Sequence, residues 1–170
     1  MAGVAHAHVS ASFDCTNERA TERLGAALAG AVQSLGDGPM LITLSGELGA
    51  GKTTLVRAIL RGLGHPGAVP SPTYMLLEPY EAGGWAIAHV DCYRLQRASD
   101  LENIGLREWL SGRRLILVEW PENAAGGLPV ADLHIVIEVV ADRRTIDLRG
   151  ATEKGAAIIA RIARQAGAEA

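Results

Sequence analysis

The chain has 170 residues, of which 48% are apolar and 21% charged, so it suits one domain with its own core and excludes disordered and fibrous proteins. Its net charge of -3, with the arginines scattered, does not favour direct nucleic-acid binding. The sequence has neither an apolar run of the roughly 20 residues that span a membrane nor the features of a signal peptide. Cys15 and Cys92 lack zinc-ligand spacing, which indicates reduced thiols in a cytoplasmic protein.

The amino-terminal part predicts a tail followed by a helix. Residues 1–13 are small, polar and aperiodic, which favours a flexible tail, so the predicted domain covers residues 14–170. Apolar residues then recur at helical spacing over residues 20–35, and either Thr16 or Asn17 can cap this helix. The pattern predicts an amphipathic helix that packs against the core.

A buried strand, a glycine-rich loop and a second helix follow. Residues 40–45, MLITLS, form a nearly continuous apolar run that is typical of a strand buried on both faces. Residues 53–63 predict a helix that ends at Gly64. The proline-rich segment after it, residues 65–74, predicts a loop because three prolines exclude regular structure.

The second half alternates strands and helices. It predicts a strand ending on a carboxylate at residues 85–91 and a helix over residues 99–110, opened by a Ser99 and Glu102 capping box. A second strand ending on a carboxylate at residues 114–120, a hairpin at 133–150 and a last helix at 153–168 follow. This order predicts an α/β fold in which helices flank a mostly parallel central sheet, with a C-terminal β-hairpin.

The glycine-rich loop matches a phosphate-binding motif. Residues Gly46 to Thr53, GELGAGKT, fit the P-loop pattern G-x-x-x-x-G-K-[ST] completely, between a strand and a helix. The glycines that permit close backbone approach, so that N–H groups can point at phosphate oxygens, are Gly46, Gly49 and Gly51. The helix N-terminus adds positive charge. This context favours a nucleotide-binding loop over an ordinary glycine turn.

Three side chains of the motif have predicted roles. Lys52 is one of only two lysines beside fourteen arginines, as expected where a compact ammonium must reach between the last two phosphates. The Thr53 hydroxyl is a predicted Mg²⁺ ligand, and Thr54 can bond a phosphate nearer the sugar.

Two carboxylates follow buried strands. Glu119 closes RLILVEW and Asp91 closes AIAHVD. Because the carboxyl ends of parallel strands meet at one rim of the sheet, both acids are candidates to face Mg²⁺ beside the P-loop. In one division Glu119 holds the metal, directly or through water, and Asp91 orients the attacking water or a magnesium-bound water. The sequence does not assign these roles.

Two further residues are weaker candidates. Thr73 lies in the proline-rich loop, where switch loops of related architectures reach the last phosphate, although it and Ser71 can equally stabilise a turn. Trp120 directly follows Glu119, and either a core position or a functional position at the surface is open to it.

With these motifs the chain resembles the TsaE family, also called YjeE. The segments that carry the resemblance, in family order and spacing, are ERATERLG, GELGAGKTTL, SPTY, HVDCYRL, LENIGLREWL, VEWPE and ADRR. The resemblance implies an Mg²⁺-dependent ATPase, weak alone, that supports threonylcarbamoylation of adenosine in tRNA. It implies action on a partner complex of the TsaB and TsaD proteins, with tRNA involved indirectly.

The resemblance also implies roles for particular residues. It implies that Thr53 and Glu119 bind Mg²⁺ and that the loop from Leu48 through Ala50 to Thr53 binds the phosphates of ATP. It implies that Asp91 and Trp120 are needed for activity. It also implies that the nucleotide base lies near Glu18, Thr21 and Arg143 or Arg144. The chain departs from the family pattern at Cys92, where an aliphatic residue is usual, and at Asp142 and Arg143, where glycine often precedes the arginine.

Other classes of protein use the same loop. A small-molecule kinase is the main alternative, although the arginine pairs lie in turns too short for a closing lid. A GTPase is disfavoured because the guanine-reading N-K-x-D pattern is absent. An ATP-binding scaffold without turnover is also open.

Overall fold

The computed structural model describes residues 9–72, 76–97, 99–124 and 126–168. Their strands, in chain order, are β1 Val9–Cys15, β2 Met40–Ser45, β3 Leu77–Ala82, β4 Trp85–Asp91, β5 Arg114–Glu119, β6 Leu133–Val140 and β7 Arg143–Gly150. Their helices are α1 Glu18–Gln33, α2 Lys52–Gly62, α3 Asp100–Asn103 and α4 Glu153–Ala168, with 3-10 turns at Leu106–Trp109 and Pro121–Ala124.

The strands of the described residues form one sheet in the order β1-β7-β6-β2-β5-β4-β3. The four central strands, β6, β2, β5 and β4, are parallel, and antiparallel strands are added at both edges. The α/β fold with a parallel centre and a C-terminal hairpin is therefore confirmed, within a sheet that is mixed as a whole. Strands β2 and β5 lie at the centre, which explains why their sequences are almost entirely apolar.

Helices α1 and α2 pack closely on the sheet. The α1 helix begins where the Asn17 side chain accepts a 2.9 Å hydrogen bond from the Ala20 backbone N–H, which decides between the two predicted caps. Residues of α1, α2 and α4 share one core cluster with β2 and the hairpin. None of the helices in the described ranges is long and apolar enough to cross a bilayer.

The structure corrects two predictions. Residues 9–13, predicted as part of a flexible tail, belong to β1, where Val9, Ala11 and Phe13 are half-buried and alternate with exposed serines. The predicted tail boundary is therefore wrong. The apolar and polar residues of this segment alternate with the period of two of a half-buried strand, although Ala11 is too small to make that pattern strong. Strand β1 pairs with β7 and adds an edge to the sheet.

The predicted helix over residues 99–110 is also wrong as one element. Ser99 makes no side-chain capping hydrogen bond, and α3 ends at Asn103. Gly105 then adopts a left-handed conformation with φ of 69° before the 3-10 turn. Glycine takes this conformation readily, so it interrupts what the apolar spacing alone suggests is continuous. Strand β3, which follows the proline-rich loop, was not predicted.

Candidate functional site

The P-loop connects the central strand β2 to the first turn of α2. Gly46 has a φ of 149°, and a Cβ there would lie 2.5 Å from the carbonyl oxygen of Ile137 on β6. Only glycine allows this approach, so the loop can pass close over the edge of the hairpin. Arg144 on β7 donates from Nε to the Ala50 carbonyl at 2.7 Å. The hairpin thus supports the loop from outside.

Lys52 is held inside the loop. It is 4% exposed, and Nζ donates to the carbonyl oxygens of Gly46 at 2.6 Å and Glu47 at 2.9 Å. Nζ also lies 3.9 Å from the centroid of the Trp120 ring, a cation–π distance. Burial lowers the pKa of the Lys52 ammonium from its ordinary value, and the negative charges of Glu119, Glu122 and Asp91 oppose that shift.

Thr53 and Glu119 form the centre of the cleft. Thr53 Oγ1 donates to Glu119 Oε1 at 2.9 Å and lies 3.1 Å from Oε2. The carboxylate is 2% exposed, at the carboxyl end of β5, and Oε1 also lies 2.7 Å from His89 Nε2 on β4. A hydroxyl and a carboxylate at hydrogen-bond distance form the pair of oxygen donors that Mg²⁺ takes from proteins while keeping water and phosphate as its other ligands. The donor set therefore fits this ion.

Asp91 lies beside Glu119 because β4 and β5 are parallel and pair these two residues in register. Its Oδ2 accepts a hydrogen bond from Ser71 Oγ at 3.0 Å, and its Oδ1 accepts one from the Tyr93 backbone N–H at 2.9 Å. The two acids thus have different surroundings: Glu119 is buried, whereas Asp91 is partly exposed and is bound to the proline-rich loop. This arrangement connects Asp91 to the segment that approaches the cleft.

Trp120 follows Glu119 in a left-handed backbone conformation with φ of 56°. Its backbone N–H donates to the Leu44 carbonyl at 3.2 Å, which fixes this turn against β2. The indole packs against Tyr93 with ring centroids 4.9 Å apart. A left-handed non-glycine residue is costly and is concentrated at functional sites, and here it places the indole over Lys52.

These side chains surround a cleft of about 330 Å³. The predicted site residues that line it are Leu48, Gly49, Gly51, Lys52, Thr53, Thr54, Asp91, Glu119 and Trp120. Gly46 contributes the carbonyl that holds Lys52, and Ala50 is buried behind the loop. The structure thus brings together most of the residues predicted for phosphate and metal.

The residues predicted for the nucleotide base are not in this cleft. Glu18 is exposed at the first turn of α1, and Thr21 is 1% exposed on the buried face of that helix. Arg143 is exposed, whereas its neighbour Arg144 contacts the loop. Thr73 lies outside the described residues.

Sequence reasoning missed four residues of the site or its support. Ser71, Tyr93 and Arg94 line the cleft, and His89 contacts Glu119 from beneath. The available signal for His89 was a histidine inside an otherwise apolar strand, two residues before Asp91 and so on the same face of the sheet. Ser71 and Arg94 lacked such a signal because their approach depends on loop geometry.

Within the described ranges, no three or more His, Cys, Asp and Glu side chains group together as a metal site. The fold and the cleft together define the class of protein: an α/β P-loop protein whose loop follows the central strand and faces an acidic strand end.

Comparison with known proteins narrows this class to one family. The family model described as "Threonylcarbamoyl adenosine biosynthesis protein TsaE" matches residues 15–146. The chain is 44% identical over 120 residues to the tRNA threonylcarbamoyladenosine biosynthesis protein TsaE of Haemophilus influenzae, covering 71% of this chain and 76% of that protein. It is 40% identical over 118 residues to the Streptomyces coelicolor protein of the same name, covering 68% and 79%.

A solved structure agrees with these sequence relatives. The crystal structure of YdiB from Bacillus subtilis superposes with a TM-score of 0.77 at 27% identity and covers 95% of this chain and 99% of that chain. The chain belongs to the TsaE family.

Proposed function

We propose that this protein binds and hydrolyses ATP with Mg²⁺ and is required for N6-threonylcarbamoyladenosine modification of tRNA in the cytoplasm. In this proposal the nucleotide state acts as a switch on a partner complex of TsaB and TsaD, and tRNA is affected through that complex. The observation that carries the proposal is the Thr53 hydroxyl on the buried Glu119 carboxylate, beside Lys52 in a complete P-loop. The names of the relatives support the pathway.

The cleft residues divide the work by their chemistry. The backbone from Leu48 to Thr53 and the Lys52 ammonium would bind the phosphates of ATP, with Thr54 nearer the sugar. Thr53 and Glu119 would hold Mg²⁺, which when bound supplies positive charge to the phosphoryl oxygens. Asp91 would orient the attacking water, and the partial exposure of its carboxylate at the same rim as Glu119 supports this role.

Lys52 would gain a partner when phosphate binds. Its ammonium has three donors, and two of them are bonded to the carbonyls of Gly46 and Glu47. Trp120 covers the ammonium and limits its access to water. We propose that phosphate binding at Lys52 changes the position of Tyr93 through Trp120 and Asp91. The Tyr93 ring packs on the Trp120 ring, and its backbone N–H donates to the Asp91 carboxylate. Tyr93 is exposed, so a partner can contact it.

Contacts to the base remain a prediction of the family resemblance. Glu18 and Arg143 are exposed and available, whereas Thr21 would have to leave a buried position. Thr73 remains a proposed switch residue. The domain is proposed to span the sheet and all four helices, from β1 to α4.

The test is ATP hydrolysis by the purified protein, alone and with the purified TsaB and TsaD pair, with tRNA modification followed in parallel. We expect slow turnover alone, faster turnover with the pair, and repeated rounds of modification only when both are present. Lys52→Ala protein serves as the control for contaminating ATPase. If the TsaB and TsaD pair does not change turnover, but a metabolite raises it and becomes phosphorylated, the protein is a small-molecule kinase and this proposal is wrong.

A further inference from the structure

A buried histidine contacts the acid of the cleft from the interior of the sheet. His89 lies within β4, is 0% exposed, and its Nε2 is 2.7 Å from Glu119 Oε1. Glu119 is the carboxylate assigned to Mg²⁺ above, so the inference rests on the proposed function. A polar side chain in this apolar strand is costly to bury unless it is hydrogen-bonded, and Glu119 is the partner of its Nε2.

The direction of this hydrogen bond follows from the two partners. An ionised carboxylate only accepts, so His89 Nε2 carries the proton and donates it. His89 Nδ1 is buried and has no hydrogen-bond partner within the described part of the chain. A bare ring nitrogen that accepts is tolerated there better than a bare N–H, which agrees with a proton on Nε2.

The same bond selects where the carboxylate points. Glu119 Oε1 accepts from both His89 Nε2 and Thr53 Oγ1, so two donors on different elements fix one oxygen. Released from His89, the carboxylate would be free to turn away from Thr53, and the two side chains would no longer present a fixed pair of oxygens to Mg²⁺.

We infer that His89 is a positioning residue: its Nε2–H holds the Glu119 carboxylate on Thr53, where it can bind Mg²⁺. Such outer contacts orient a metal ligand without touching the metal, and losing one typically weakens metal binding by roughly 10- to 100-fold. A purely structural polar pair would instead lower stability and leave the response to Mg²⁺ unchanged.

The test measures equilibrium binding of ATP, with excess Mg²⁺ and with EDTA, to the wild type, His89→Leu and His89→Gln. The Leu side chain removes the donor, whereas the Gln amide can place an N–H near the Nε2 position. We expect His89→Leu to bind ATP as the wild type does in EDTA but to lose about 10-fold or more of the affinity that Mg²⁺ adds. His89→Gln should recover most of that gain.

His134→Leu is the matched control. His134 is a second strand histidine, on β6, and its Nδ1 lies 2.8 Å from Thr43 Oγ1, away from the residues that line the cleft. Its loss should leave the Mg²⁺ response intact. A His89→Leu protein with the wild-type response, or with equal losses in Mg²⁺ and EDTA, would overturn the inference, as would a folded His89→Gln protein that recovers nothing.

Two outcomes separate this inference from the proposed function. If Mg²⁺ adds nothing to ATP binding by the wild type, the proposed function fails, whereas a normal wild-type response with an unaffected His89→Leu variant removes only the inference. If the Leu variant does not fold, the ring nitrogens of His89 in the wild type are read by ¹⁵N NMR. A protonated Nε2 whose ¹⁵N chemical shift changes when Mg²⁺ and ATP are added supports the inference, and an unprotonated Nε2 contradicts it.

Discussion

Lys52 is the residue on which the cleft depends most. The position takes lysine in a chain that otherwise prefers arginine, and the structure gives the reason. The ammonium is compact enough to fit under the Trp120 ring while it bonds two carbonyl oxygens of its own loop. A planar guanidinium would need more room than this buried position provides. The positive charge of Lys52 thus lies inside the P-loop, beneath the Trp120 ring.

We predict that Lys52→Ala weakens ATP binding by roughly 10- to 100-fold, because hydrogen bonds to charged groups contribute about 1.5 to 3 kcal/mol. The fold should persist, since Arg144 still binds the Ala50 carbonyl of the loop and the core does not include Lys52. Lys154→Ala is the matched control, because Nζ of Lys154 donates to the Pro39 carbonyl at the opposite end of β2. Calorimetric titration with ATP measures both, and unchanged affinity in Lys52→Ala would refute the P-loop assignment.

Glu119 is predicted to matter more for turnover than for ATP binding. Glu119→Gln keeps the size of the side chain and an acceptor for Thr53 and His89 but removes the negative charge. We expect hydrolysis to fall on the order of 100-fold, as when one preorganised electrostatic contact is lost. ATP affinity should stay unchanged in EDTA, whereas the affinity that Mg²⁺ adds should fall by about 10-fold. Single-turnover hydrolysis and binding measured on one preparation test this, and unchanged hydrolysis or an equal loss of affinity in EDTA would contradict the role of Glu119.

Cys92 gives a prediction about pH. Burial raises the pKa of its thiol to about 12, and the nearby charges of Asp91 and Glu122 add to the effect. In the unfolded chain the thiol titrates near its ordinary value of 9.0. Between these values the unfolded state binds fewer protons, so the thiol's contribution is complete below pH 9 and is lost as the pH rises towards 12.

The expected slope from Cys92 is at most about 1.4 kcal/mol per pH unit. Urea unfolding of the wild type and Cys92→Ala at pH 8 and pH 10.5 measures it. The wild type should lose more stability than the variant over this range. Equal losses would show that the thiol titrates alike in both states.

At the scale of elements, the packing of α1 on α2 depends on small residues. A Cβ at Gly25 would overlap the Cβ of Ala58, and a Cβ at Gly62 would lie 2.6 Å from the Cβ of Ala29. The two helices therefore approach through glycine on each side. Since α2 begins at Lys52, this contact also fixes the position of the P-loop.

Two glycines of α1 make a matched pair of predictions. Gly25→Ala should destabilise the protein by about 1 to 3 kcal/mol, because the added methyl group must push the helices apart. Gly30→Ala should stabilise it by about 0.5 to 1 kcal/mol, because nothing lies within 4 Å of a Cβ there and alanine favours helix. Thermal unfolding of both variants tests this, and a Gly25→Ala protein as stable as the wild type would contradict the close packing.

Element boundaries were predictable where an apolar run ends at turn residues or where helical spacing is regular. The strands at residues 40–45 and 85–91 and the last helix were predicted with the bounds that the structure has. Strand β1 was missed because its period of two depends partly on the small side chains of Ala11 and Cys15, which are a weak apolar signal. The split after α3 was missed because apolar spacing carries no information about the left-handed backbone of Gly105.

At the scale of the whole molecule, the parallel register of β2, β4 and β5 creates the cleft. It brings the P-loop, Asp91 and Glu119 to one rim, as the strand pattern predicted. Contacts that cross elements could not be predicted in the same way. The bonds from Ser71 to Asp91 and from Arg144 to Ala50 join residues 20 and 94 positions apart, and only the folded geometry pairs them.

In the proposed function, nucleotide in this cleft and the partner complex affect each other's binding. Such coupling is reciprocal: if a nucleotide changes the protein's affinity for the partners, the partners change its affinity for that nucleotide by the same factor. The most direct measurement is the affinity of the protein for a non-hydrolysable ATP analogue and for ADP, with and without the TsaB and TsaD pair. We expect the pair to change the two affinities by different factors, and equal affinities with and without the pair would disprove this coupling.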